Sequence, residues 1–227
     1  MTNPMVSFWN EKQKELRTLI REESSFNEVI DLMKELHSIV HTPEVSGEKS
    51  TYFELLTTGL TKEIAEVMPT KKDVTIIWNL WHITRIEDIT VNLLINNENQ
   101  ILNEEWLKRL NTTVTDTGNA MTDDEIIELS KSIDLVELLQ YRTAVGKKTR
   151  ETIDNLNVVD LKRKFTPQQV ERILIEGGVT NHPDSIWLKD FWGRKDVAGI
   201  LLLPVTRHQF GHLNDSIRLK KVIEKNR

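Results

Sequence analysis

In the segment PVTRHQFGHLND, His208 and His212 stand four residues apart. On an α-helix that spacing turns a side chain by about 40° and raises it one turn, so both imidazoles project from the same face. Two imidazoles on one face are what a single helix can offer a divalent cation, although pairs at this spacing also arise by chance. Leu201, Val205, Leu219 and Ile223 fall on the same stripe, which turns the pair toward the interior. A third nitrogen must then come from another element. The candidate is His82 in IIWNLWHITRIEDITVNLLI, which shares a stripe with Trp78, Ile86, Ile89 and Leu93. Three core-facing histidines on two helices could surround one ion at about 2.0–2.1 Å per Zn–N bond and leave a fourth position for water or substrate. That is the layout of a catalytic centre, whereas a structural centre is closed by four protein ligands.

A rival pair, His37 and His41 in LMKELHSIVHTPE, has the same spacing. His41 stands immediately before Thr42-Pro43, where a helix must end, and reads as a histidine facing the terminal carbonyls and the helix dipole. His37 reads instead as a pocket-lining residue or an outer partner of a ligand. Asp215, three residues beyond His212, borders the same face and could accept the other ring N–H of a ligand or bind the metal itself. Trp78, one turn before His82, is a candidate for the cavity wall, and the other tryptophans read as core. His182, beside Pro183, reads as a surface or capping residue. Glu87 and Asp88 lie about one turn from His82, but Arg85, Lys220 and Lys221 make surface ion pairs the simpler expectation. No residue is assigned as the catalytic acid or base.

The elements that must position these side chains are helices almost throughout. Ser25-x-x-Glu28, Thr51-x-x-Glu54 and Thr122-x-x-Glu125 have the form of capping boxes, and Thr166-Pro167-x-Gln169 adds proline at the first helical position. Periodicity predicts helices over 5–41 with a break near 23–25, then 51–67, 73–96, 103–110, 122–131, 134–155, 167–176, 184–192 and 196–224. Asn111 to Ala120 and the stretch from Gly177 to Pro183 read as loops. Pro204 predicts either a kink or the start of a new helix. The fold class is therefore all-α: one domain over residues 1–227, with an elaborated helical insert around 100–195.

Composition excludes much else. With 38% hydrophobic and 29% charged residues, 9 Gly and 6 Pro, the chain has the balance of a soluble helical protein. A net charge of −5 argues against a nucleic-acid partner, and the basic C-terminal RLKKVIEKNR is read as offsetting a helix end. The absence of cysteine excludes disulfides, thiolate ligands and a cysteine nucleophile, so any metal is held by nitrogen and oxygen. No basic start followed by an apolar run, and no span long enough for a bilayer, makes a cytoplasmic protein the expectation, with no membrane partner. Nor is there a glycine-rich phosphate loop, a Walker lysine or a G-x-S-x-G elbow.

A long helix carrying the central histidine of WHITRIEDITVNLL, then further helices, then LLLPVTRHQFGHLND on the final helix, resembles the DinB-like superfamily of bacterial helical-bundle metalloproteins. The resemblance implies a four-helix bundle whose core binds a divalent metal, often zinc or nickel, through the residues matching His82, His208 and His212. It also implies a thiol-dependent transferase or isomerase that meets a small electrophile with a low-molecular-weight thiol such as bacillithiol or mycothiol, in some relatives as a homodimer. Leu213-Asn214-Asp215 stands where many relatives carry an Arg-Gly-Gln-like stretch, a departure that bears on substrate rather than on ligands. The alternative is a non-catalytic bundle, metal-binding or metal-free, acting as a sensor or interaction module.

Overall fold

A computed structural model describes residues 4–47 and 51–226; Arg227, the last residue of the basic C-terminal stretch, lies outside them. Four helices form the bundle: Phe26–Val40, Ile76–Asp88, Leu135–Asp154 and His208–Lys225. The Ile76–Asp88 helix, which carries His82, packs against both Leu135–Asp154 and His208–Lys225, and Phe26–Val40 closes the ring against those same two. Pro4–Leu19 lies along Phe26–Val40. The fold is all-α, with no strand among the described residues and a single backbone bridge between Lys164 and Asp196.

Central placement explains the composition of the His82 helix. All thirteen of its residues are buried, including Glu87 and Asp88. A helix covered on every side must be apolar all round or find partners for each polar group. The expectation that Glu87 and Asp88 form surface ion pairs is therefore corrected. Asp88 accepts hydrogen bonds from Arg85, Tyr141, Asn92 and the backbone amides of Ile101 and Leu102. Lys220, expected among those surface pairs, stands 3.9 Å from Glu224 and donates to the carbonyls of Leu56 and Thr58.

The span read as an insert supplies one of the bundle's own helices, Leu135–Asp154, started by Asp134, whose carboxylate accepts from the amides of Val136 and Glu137. Shorter helices pack around it. Glu104–Leu110 sits on Leu135–Asp154, Asp123–Ser132 sits on the His82 helix, and Pro167–Ile175 packs against Pro183–Gly193.

Local signals hold at most helix starts. Thr51, Thr122 and Thr166 form complete capping boxes with Glu54, Glu125 and Gln169. Ser25 does not; it closes a 3₁₀ turn, Glu23–Ser25, and its hydroxyl makes no cap bond. The helix expected over 51–67 is two short ones, Tyr52–Thr57 and Lys62–Ala65, separated where Gly59 takes a φ of 70°.

Pro204 neither kinks a regular helix nor opens one. It lies in a π-helical segment, Leu203–Arg207, between Val197–Leu202 and the C-terminal helix. The Thr206 hydroxyl bonds the carbonyls of Leu201 and Leu202 at 3.0 Å each, occupying acceptors at the wide turn. A second π-helical segment, Ile89–Asn96, extends the His82 helix.

Candidate metal centre

The π segment hands the chain directly to His208, and Gln209 then fixes how closely the two histidine-bearing helices approach. Its buried side-chain amide donates to the carbonyls of Pro204 at 3.2 Å and Ile83 at 2.9 Å. Across this junction the rings of His82, His208 and His212 form a nearly equilateral triangle, with centroids 4.5–5.0 Å apart. One ligand nitrogen from each lies within 4.8 Å of the others.

The ring tautomers follow from their partners. Thr117 offers His82 only a carbonyl, 2.8 Å from Nδ1, so Nδ1 carries the proton and the Nε2 lone pair is free. For His212 the logic runs through one more residue. The Asp215 carboxylate can only accept, so Asn79 turns its Nδ2–H toward it at 3.3 Å; the amide oxygen, 2.7 Å from His212 Nδ1, must then receive a proton from the ring. Arg218 holds the other Asp215 oxygen at 2.8 Å and reaches Asp73 at 2.7 Å. His208 Nδ1 is buried without a hydrogen-bond partner. Two of the three imidazoles are thus oriented from behind in the manner that metal-ligating histidines require.

Burial keeps all three rings neutral. With the neighbouring His212 it pushes His82 down to about 3, against the opposing pull of the Thr117 carbonyl. His208 falls well below the usual imidazole range, through burial and then the neighbouring imidazoles, and burial takes His212 down to about 4. A neutral imidazole is the form that binds a cation. Three nitrogen donors, two of them with fixed lone pairs, therefore fit a divalent transition metal, and neutral ligands would leave such an ion its full charge.

The wall is built on the loop between Asn111 and Ala120. Four successive carbonyls, of Thr115, Asp116, Thr117 and Gly118, take donors from Arg85 Nε, Trp81 Nε1, His82 Nδ1 and Trp78 Nε1 at 2.8–3.3 Å. These donors lie along one side of the His82 helix, so the loop clamps the ligand and its neighbours together. Gly118 is required: its φ is 76°, and a Cβ there would lie 2.7 Å from Trp78 Nε1. Trp78 in turn stacks on His82 with centroids 4.6 Å apart and planes 10° apart.

On its other side the centre opens into a cavity of about 580 Å³, bordered by Trp78, Asn79, His208, His212 and Asp215. This explains why His208 and His212, expected to face the interior rather than solvent, are only half-buried. Lys72, Arg207 and Arg218 stand around the opening, and Gly211, between the two histidines, faces open space. Two larger cavities, of about 880 and 730 Å³, are lined by no histidine.

Trp78 and Asp215 thus border the cavity, but His37 does not. Its Nε2 stands 3.0 Å from Glu87 Oε1, in a separate buried cluster completed by His41. His41 does follow the last residue of its helix, yet it is fully buried and aimed at Glu87 rather than turned to the helix end. His182 caps a surface helix, accepting from the Asp184 amide at 3.2 Å. Asn79 was missed from sequence, although a lone amide three residues before His82 in an apolar run was a visible signal. The Thr117 carbonyl had none, since every residue offers a carbonyl.

No curated protein matches the chain. The profile of the DinB superfamily matches residues 50–214, a span that contains all three histidines of the centre together with Asn79 and Thr117 and ends one residue before Asp215. The chain belongs to the DinB superfamily.

Proposed function

We propose that the protein is a divalent-metal-dependent enzyme that holds its ion through His82, His208 and His212. We further propose that it transfers a low-molecular-weight thiol of the bacillithiol kind to a small electrophile. The observation that carries this reading is the tautomer control at the triangle: Thr117 and the Asp215–Asn79 relay leave two Nε2 lone pairs free beside a cavity open to solvent. Membership of a superfamily rich in metalloproteins supports it. Zinc and nickel are the ions proposed, since an all-imidazole donor set suits both.

When bound, such an ion supplies Lewis acidity that lowers the pKa of an incoming thiol. The residues of the chain do the rest. Asn79 and Asp215 keep the His212 lone pair directed inward, and Trp78 stacks on the face of the His82 ring while the Thr117 carbonyl holds its edge. Lys72 and Arg207 at the opening favour a cosubstrate that carries carboxylates. A chain without cysteine takes its sulfur nucleophile from such a cosubstrate.

The test incubates zinc- and nickel-loaded protein with bacillithiol and a panel of small electrophiles. Thiol consumption that disappears in His208→Ala is expected. Absence of turnover with every thiol and electrophile in the folded, loaded protein would refute the transferase reading and leave a metal-binding module.

A further inference from the structure

His37, His41 and Glu87 form a second cluster that the proposed reaction does not use. All three side chains are fully buried. His37 Nε2 lies 3.0 Å from Glu87 Oε1, and His41 Nε2 lies 3.2 and 2.9 Å from the two carboxylate oxygens. The His37 and His41 rings face each other with centroids 4.2 Å apart.

We propose that His37, His41 and Glu87 constitute a second metal site, separate from the three-histidine centre, that binds a divalent first-row cation. Two imidazoles and one carboxylate are a donor set suited to such ions. The separations match as well: ligand–ligand edges of about 3.0–3.4 Å are expected around an ion whose bonds are about 2.1 Å long. The charge argues in the same direction. Among the described residues no lysine or arginine nitrogen lies within 4 Å of the Glu87 carboxylate; its ion-pair partners are the two imidazoles alone. Arg142 spends its guanidinium on the Val40 carbonyl and Thr84 and acts on Glu87 only through space. A fully buried carboxylate with no lysine or arginine against it is completed by a cation.

The position of His41 depends on Gly146 of the facing helix. A Cβ at Gly146 would stand 2.5 Å from His41 Nδ1 and 2.7 Å from Cε1, so only glycine leaves the ring room to meet Glu87. Neither ring has a partner at Nδ1. Packing therefore orients this pair, where hydrogen bonds orient His82 and His212. Full burial makes exchange slow, so the ion is taken up during folding or through local opening.

The experiment reads cobalt(II) per chain after the untagged protein is unfolded, refolded with excess cobalt and dialysed, with its visible absorption recorded. Two equivalents are expected in the wild type and one in Glu87→Gln, with melting followed to verify folding. Gly146→Ala is expected to retain one equivalent for the same reason. The double variant His82→Ala/His208→Ala disrupts the other centre and leaves this cluster untouched; it too is expected to keep one equivalent. The proposal is overturned if the folded double variant holds none, or if Glu87→Gln leaves the cobalt content of the wild type unchanged. Because the two centres are altered separately, loss of one reading does not entail loss of the other.

Discussion

Truncating Asn79 tests the reasoning behind the three-histidine centre most directly. Asn79 is almost fully buried, accepts from His212 at 2.7 Å and donates to Asp215 at 3.3 Å. In Asn79→Ala the imidazole keeps its packing but loses the acceptor that assigns its proton to Nδ1. Removing an outer partner of a ligating histidine typically weakens metal affinity about 10- to 100-fold, which is about 1.4–2.7 kcal/mol. The orphaned Nδ1–H, costing about 1–3 kcal/mol in the tautomer that binds, accounts for a loss of that size. Asp215→Asn should have a smaller effect, because Asn79 remains but its orientation is no longer dictated by an acceptor-only neighbour. Competition between the protein and a chromophoric chelator for zinc at pH 7.5, in a Glu87→Gln background, isolates this centre, and thermal melting verifies folding. An Asn79→Ala protein that is folded and binds zinc within a factor of two of its parent would refute the tautomer argument and leave ring packing as the sole control.

Other outcomes follow from the surrounding structure. Gly118→Ala should destabilise the protein by about 2–3 kcal/mol, combining a positive φ with a Cβ 2.7 Å from Trp78 Nε1, and should alter the near-ultraviolet circular dichroism; an unchanged urea midpoint would contradict the loop clamp. Asp88→Ala strands Arg85 in the core together with the donors of Tyr141 and Asn92, and should cost about 3–5 kcal/mol in urea unfolding. Acid should weaken the metal-free protein through its buried histidines. His82 is pushed down to about 3 in the fold but titrates near 6.5 when unfolded, so between these values the unfolded chain binds the extra proton. Stability is then fully present above about pH 6.5 and falls as pH drops, by about 2 kcal/mol at pH 5 for one such ring. Equal urea midpoints at pH 7.5 and pH 5 would contradict that burial.

Helical periodicity placed His208 and His212 on one face, because a rise and a rotation per residue are local properties of the backbone. The same locality made Thr51, Thr122 and Thr166 legible as caps, since each hydroxyl meets an amide three residues away. Where a local signal had a competitor it failed: the Ser25 box gave way to a 3₁₀ turn, and Pro204 was absorbed by a π segment whose partners, Leu201 and Thr206, lie within the same stretch.

What only tertiary structure decided was which groups meet across the core. His82 joins the pair on the C-terminal helix because Gln209 ties that helix to Ile83, and its tautomer comes from a loop carbonyl 35 residues away. Glu87 reads as a solvated carboxylate until His41, just past the end of its helix, and the helix carrying Gly146 close around it. Residue type and spacing set the chemistry that each helix can present. Burial and the approach of separate backbones set which nitrogens and oxygens are left facing one another, and no periodicity within one segment encodes that.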